Sequence, residues 1–221
     1  MAYKILNNIS VKDSASSDLA SLKTSMLVIT IDKNTKKDKS FKALDKATKG
    51  FLSSTVASHL NDEGSSISLP SIDGINAENI LLVKSWSAKT PIHKWLSSIK
   101  SITKQANKLK AKDISFVMNS SYPNNKDAFW MIESVSKTIE SNAYIFTETK
   151  NKTVKKPTLK KLVLFVSDMS PSDLRKAKSA AKKGFAIGEG VNTAKYLGDL
   201  PANHATPKII EKKVKAMTKD F

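Results

Sequence analysis

The segment GEGVNTAKYLGDLPANHATP, residues 188–207, brings together residue types that take part in catalysis and ligand binding. Glycines around a glutamate could belong to a nucleotide loop, and His204 could act as a general base. A dinucleotide loop, however, needs a strand directly before its first glycine and a third small residue at fixed spacing. A predicted helix precedes Gly188, and Thr193 occupies the third position. The pattern therefore favours helix packing over a nucleotide site.

The other residue types capable of catalysis are isolated in the sequence. His59, His93 and His204 belong to no His-Glu-x-x-His pair, and no serine lies in a Gly-x-Ser-x-Gly motif. We therefore assign no catalytic, cofactor-binding or metal-ligating residue in this chain, and we interpret the histidines as surface or packing residues. Asn203, between two prolines, is expected to hold the backbone of a turn with its side chain.

The composition indicates a globular protein. Of 221 residues, 40% are apolar, which is enough to bury a core. No apolar run approaches the ~18 residues needed to cross a bilayer, and the first residues lack the pattern of a signal peptide. Because the chain has no cysteine, which is typical of a reducing compartment, we expect a cytoplasmic protein without membrane contact.

The formal net charge of +17 is large enough to attract polyanions. Lysines cluster at residues 32–40 and 150–161 but occur along the whole chain, and Arg175 is the only arginine. Lysine lacks the planar fork that reads guanine, so base-specific recognition is not expected. Two interpretations stay open: a solvated basic surface, or weak non-specific binding of DNA or another polyanion.

Strand and helix patterns alternate along the chain, which predicts an α/β fold with a largely parallel or mixed sheet. Helices are predicted where apolar residues recur at helical spacing, and Thr90 and Pro91 are expected to begin the second of them as N-cap and first helical residue. The predicted helices are 40–60, 90–110 and 127–141, and the predicted strands are 25–32, 65–70, 79–86, 113–119 and 160–168.

A long helix is predicted to begin after Ser170, with Pro171 in its first turn and Asp173 at the positive end of its dipole. Its small residues recur at helical spacing and form a narrow stripe that allows another backbone to approach closely: Ala177, Ala181, Gly184 and Gly188. Gly198 is the predicted C-cap.

Thr206 and Pro207 are predicted to start a last amphipathic helix. Its apolar face consists of Ile210, Val214, Met217 and Phe221. A helix of this length is marginal by itself, so this face is expected to need a partner.

The run EGVNTAKYLGDLPANHATPKIIEKKVKAM resembles the segment of M17-type leucyl aminopeptidases that leads from the N-terminal domain into the catalytic domain. That family shows a pattern close to G-V-N-x-A-R-D-L-x-N-x-P-x-N-x-x-T-P. Lys195, Tyr196 and Asp199 depart from it. The matching positions are Gly190, Val191, Asn192, Ala194, Leu197, Leu200 displaced by one, Pro201, Asn203, Thr206 and Pro207. The likeness covers the whole chain; it is specific at residues 188–207 and looser before them, for example over residues 51–86.

The resemblance implies a three-layer α/β/α macro-like domain with a mixed sheet over residues 1–169. It further implies a connecting helix over 170–198 and the first turn and helix of a catalytic domain over 199–221. Enzymes of this family use two divalent metal ions, manganese or zinc, to hydrolyse the N-terminal residue from peptides. The family motifs that carry the metal ligands, V-G-K-G-x-x-F-D-x-G-G and N-T-D-A-E-G-R-L, do not occur in this sequence.

The resemblance therefore implies a non-catalytic N-terminal part that serves assembly and substrate access. Its implied partners are its own catalytic domain, further copies in a hexamer, and a peptide substrate bound by the full enzyme. Two alternatives stay open: a DNA-binding or other polyanion-binding module, and a catalytically silent stand-alone relative.

Overall fold

The computed structural model of the chain describes residues 4–15, 17–32, 35, 38–59, 62–118, 123–150, 156–167 and 169–217. Its strands are β1 (Asn8–Asp13), β2 (Met26–Ile31), β3 (Ser66–Pro70), β4 (Asn79–Lys84), β5 (Asp113–Val117) and β6 (Lys161–Val166). Its α-helices are α1 (Lys39–Ala47), α2 (Phe51–His59), α3 (Ile92–Lys108), α4 (Ala128–Asn142), α5 (Pro171–Asp199) and α6 (Pro207–Met217).

The six strands of the described residues form one mixed sheet in the order β1-β6-β5-β2-β4-β3. All neighbouring pairs are parallel except β3 and β4, so the antiparallel strand β3 lies at one edge. The two middle strands β2 and β5 pair through residues such as Val28 and Phe116. This arrangement confirms the predicted α/β class with a mixed sheet.

Both faces of the sheet are covered by helices. Along β2, Met26 and Val28 contact the core beneath α3, α4 and α5, whereas Leu27 and Ile29 contact the core beneath α1 and α2. Alternation of this kind follows from the two-residue period of a strand. The predicted three-layer α/β/α arrangement is confirmed, with the long helix α5 in the larger helical layer.

The first strand was not predicted from the sequence. The run NISVKD in β1 mixes polar, charged and apolar residues, and β1 lies at an edge, where only Val11 is fully buried. Its strand conformation depends on parallel pairing with β6, in which Val11 lies opposite Leu164. Because β1 and β6 are far apart in the chain, their pairing produces no recognisable pattern in the local sequence of β1.

Two predicted helix boundaries are wrong. The predicted helix 40–60 is two helices, because Lys49 and Gly50 adopt left-handed backbone with φ of 52° and 85°. Helix α3 begins one residue late, with Pro91 rather than Thr90 as N-cap. The Thr90 hydroxyl donates instead to Glu63 Oε2 at 2.6 Å.

In the described part of the chain, no helix is long and apolar enough to cross a membrane.

Candidate interdomain surface

The long helix α5 packs in parallel along α4 through its small residues. Ser170 caps α5, with its hydroxyl accepting from the Asp173 amide at 3.1 Å, as predicted. A Cβ added at Gly184 would lie 2.0 Å from the Glu133 carbonyl oxygen, and one at Gly188 would lie 2.7 Å from Glu140 Cβ. No side chain fits at either position, so the predicted packing stripe is confirmed.

Glu140 of α4 joins three parts of the chain. Its side chain is fully buried, and its carboxylate accepts hydrogen bonds from the amide nitrogens of Ile5 at 2.7 Å and Leu6 at 2.9 Å. Asn192 of α5 donates its amide to Glu140 Oε1 at 3.0 Å and to the Glu140 carbonyl oxygen at 3.1 Å. One carboxylate thus fixes the segment before β1 and the last third of α5 to α4.

Burial raises the pKa of Glu140, although the amides of Ile5 and Leu6 act in the opposite direction. Glu189 lies close enough to raise it further. Burial also raises the pKa of Glu189 itself, against the influence of Lys4. The electrostatics of this region therefore disfavour ionisation of its carboxyl groups, which suits a packing role.

Polar contacts continue along α5 to its end. The Lys195 ammonium donates to the Ser141 carbonyl oxygen at 2.5 Å, and Tyr144 donates its hydroxyl to Asp199 Oδ2 at 2.9 Å. Burial lowers the pKa of Lys195. Lys195 and Asp199 are two of the departures from the family pattern, and both bind the end of α4 or the residues just after it.

Residues 200–206, which we call the joint, follow α5 and form a short turn. The helix runs through Gly198 to Asp199 and ends at Leu200, so the predicted C-cap at Gly198 is wrong. The turn closes through backbone hydrogen bonds from His204 and Ala205 to the Pro201 carbonyl oxygen, at 2.8 and 2.9 Å. Asn203 is exposed, and backbone groups rather than its side chain make these bonds.

Helix α6 begins at Pro207 as predicted and leaves its apolar face exposed. Its half-buried residues Ile209 and Lys213 face α5, where the Lys213 ammonium lies 4.3 Å from the centre of the Tyr196 ring. Ile210 and Val214 are 38% and 50% exposed. Of the predicted face, Phe221 lies outside the described residues.

A cavity of about 450 Å³ lies between α5, the joint and α6. Tyr196, which donates its hydroxyl to Glu148, forms part of its lining, together with Leu200 and His204. The cavity is the space left between α5 and α6 where the joint connects them.

The histidines are dispersed. His93 and His204 are exposed, and the side chain of His59 lies outside the described part of the chain. Within the described ranges, no group of three or more histidine, aspartate and glutamate side chains could hold a metal ion.

The sequence predicted the small-residue stripe but gave no sign of Glu140. This glutamate lies in a helix whose pattern is ordinary, and the amides that it binds belong to residues 5 and 6. Only the pairing of β1 with β6 brings those amides to α4.

Comparisons with known proteins place this fold in a family. A sequence profile described as cytosol aminopeptidase family, N-terminal domain, matches residues 28–153, more than half of the chain. The chain therefore belongs to the cytosol aminopeptidase family, as the resemblance at residues 188–207 predicted, and the matched region is the N-terminal domain of that family.

Two curated relatives are both named probable cytosol aminopeptidase. The protein of Ralstonia pickettii is 30% identical over 190 residues, which cover 81% of this chain and 37% of the relative. That of Pseudomonas fluorescens is 26% identical over 206 residues, covering 90% of this chain and 40% of the relative. The chain thus spans about two fifths of the length of these relatives.

Two solved structures share the fold. A K354E mutant of tomato leucine aminopeptidase superposes with a TM-score of 0.68 at 20% identity, covering the whole of this chain and 43% of the tomato chain. The bottromycin maturation enzyme BotP, in complex with Mn, gives a TM-score of 0.57 at 13% identity, covering 89% of this chain and 36% of its own.

Proposed function

We propose that this chain is the non-catalytic N-terminal part of a metal-dependent aminopeptidase that removes N-terminal residues from peptides. In this proposal it serves assembly and substrate access, and catalysis belongs to a domain that follows α6. The proposed division is residues 1–169 for the N-terminal domain, 170–198 for the connecting helix and 199–221 for the beginning of the catalytic domain.

The observation that carries the proposal is the close packing of α5 against α4. The tight contacts of Gly184 and Gly188 and the Asn192–Glu140 hydrogen bonds fix this 29-residue helix to α4. The helix then leads directly into the joint and α6, whose residues Ile210 and Val214 are exposed. A helix that is held against α4 as far as its last turn and then leads to an exposed apolar surface suits the rigid connection of two domains.

The remaining features are proposed for the complete enzyme. Two divalent metal ions, manganese or zinc, would be bound by the catalytic domain and not by this chain, since the two family metal motifs are absent from its sequence. The complete enzyme would form hexamers, mainly through its catalytic domains, and would act in the cytoplasm. This chain by itself is then a monomer or a weak oligomer in light scattering, and a stable hexamer would assign assembly to the N-terminal part.

The proposal is tested by hydrolysis of leucine 4-nitroanilide with added manganese or zinc, with a full-length relative as positive control. The 221-residue chain is expected to give no turnover above a metal-only blank. Turnover by the purified chain would contradict the proposal. Reading the gene beyond the codon for Phe221 gives a second test: the two metal motifs in frame support the proposal, whereas a stop codon favours a catalytically silent relative.

Binding of DNA or another polyanion is a second proposed function, favoured by exposed lysines. Four lysines of the cluster at 150–161 are exposed in the structure: Lys150, Lys156, Lys160 and Lys161. Lys152 and Lys155 of the same cluster lie outside the described residues. A surface of this kind suits weak electrostatic binding without sequence preference.

A further inference from the structure

The exposed face of α5 changes character along the helix. In the first half, this face carries Lys176, Ser179 and Lys183, which suit contact with water. After Lys183 the same side of the helix bears only apolar or small residues as far as Gly198. We call these residues the outer face: Ile187, Gly190, Val191, Ala194 and Gly198.

The outer face is uncovered although it is apolar. Ile187 is 40% exposed and Val191 is 38% exposed, and both are among the large apolar side chains that the described residues leave in solvent. Between Lys183 and Asp199 the only charged residues of α5 are Glu189, which is half-buried, and Lys195, whose ammonium donates to the Ser141 carbonyl oxygen. In a chain with a net charge of +17, such an interval indicates a surface that another apolar surface covers.

The glycines of α5 give an independent observation. A glycine inside a helix is less favourable than alanine by about 1 kcal/mol, so it needs a local reason. Gly184 and Gly188 have one, because α4 leaves no room for a side chain at either position. At Gly190 and Gly198 a Cβ would meet no atom within 4 Å. Both lie on the outer face, where they would let a second backbone come as close as α4 does on the inner face.

We propose that the outer face of α5 is the surface on which the catalytic portion of the protein packs, through an apolar element that approaches Gly190 and Gly198 closely. This inference rests on the proposed function. About three fifths of the length of each relative lies outside the matched part. In the proposed function, α5 leads into that portion through the joint. Ile210 and Val214 of α6 add exposed apolar surface where this portion begins. A second copy of this chain is the competing occupant.

The experiment uses the complete gene product and the double variant Ile187→Lys/Val191→Lys. We expect cleavage of the joint at residues 200–206 by a nonspecific protease to become at least about tenfold faster, because the variant frees the two domains from each other. The matched control is Ser179→Lys, which adds a lysine to the exposed side of the same helix before the outer face begins. The control should be cleaved at the wild-type rate.

Folding is checked in the 221-residue chain, where the same double variant should leave the melting temperature unchanged, because both side chains are exposed there. If the complete wild-type protein is an active aminopeptidase and the double variant is cleaved no faster, the inference is wrong and the proposed function stands. If the complete wild-type protein has no activity, or the reading frame stops after Phe221, the proposed function fails as well. A double variant that changes only the molar mass in light scattering would assign the outer face to a second copy and overturn the proposed occupant.

Discussion

Gly184 of α5 lies so close to Glu133 of α4 that a methyl group in place of its hydrogen would be 2.0 Å from the Glu133 carbonyl oxygen. The contact is with backbone, which cannot move aside as a flexible side chain can. Gly190, on the other side of the same helix, has open space around it. This pair of glycines separates the effect of close packing from the effect of helix propensity.

Gly184→Ala should lower the free energy of unfolding by about 1–3 kcal/mol or more, because the two helices must move apart. Gly190→Ala is the matched control and should raise the free energy of unfolding by about 0.5–1 kcal/mol, since alanine favours the helix and meets nothing. Urea unfolding of the 221-residue chain and both variants measures this. Shifts of the same sign in both variants would contradict the proposed close packing.

Glu140→Ala should lower the free energy of unfolding by about 3 kcal/mol, because the amides of Ile5 and Leu6 lose their buried acceptor. Amide exchange at these two residues should become faster than in the rest of the sheet. Glu133→Ala removes a half-exposed ion pair with Lys183 at 3.0 Å and should lower the stability by less than about 1 kcal/mol. Equal losses in the two variants would show that Glu140 does not act as an anchor.

Glu140→Gln should change how stability depends on pH. Burial raises the pKa of Glu140 above its ordinary value of 4.5, so in this range the folded chain keeps a proton that the unfolded chain releases. The free energy of unfolding of the wild type therefore falls as pH rises from 4.5 through the raised pKa. Glutamine cannot titrate, so the variant lacks the pH dependence that Glu140 causes. Glu189 is present in both proteins, so its contribution largely cancels in the difference between them.

The free energy of unfolding of Glu140→Gln minus that of the wild type should thus be flat below pH 4.5 and increase above it. Urea unfolding at a series of pH values measures this difference. A difference that falls with pH would mean that the hydrogen bonds to Glu140 outweigh its burial.

Duplex DNA should bind this chain weakly and without sequence preference. If the lysines act as a general field, changing Lys155 and Lys156 to glutamine should leave the slope of log affinity against log salt nearly unchanged, since each phosphate contact contributes about −0.9. A titration at several salt concentrations with parent and double variant decides this. A slope smaller by about two in the variant would show instead that the cluster at 150–161 contacts phosphates directly.

The sequence by itself determined the elements that have a strong local period. The buried strands β2 and β6 are almost continuous apolar runs, and α5 has both a capping serine and small residues that recur every three or four positions. Such patterns depend only on neighbours within a few residues, so they can be recognised before the fold is known. The motif at residues 188–207 also indicated the family to which the chain belongs.

Only the tertiary structure decided which element lies against each face of a helix. Strand β1 forms because β6 supplies its hydrogen-bonding partner, and this pairing then brings the amides of Ile5 and Leu6 to Glu140, which has no local feature that marks it. The helical period places Gly188 and Gly190 on different faces of α5, and the fold presses the first against α4 and leaves the second open. Contacts between distant segments make this distinction, because a helical period fixes which residues share a face and not what lies against that face.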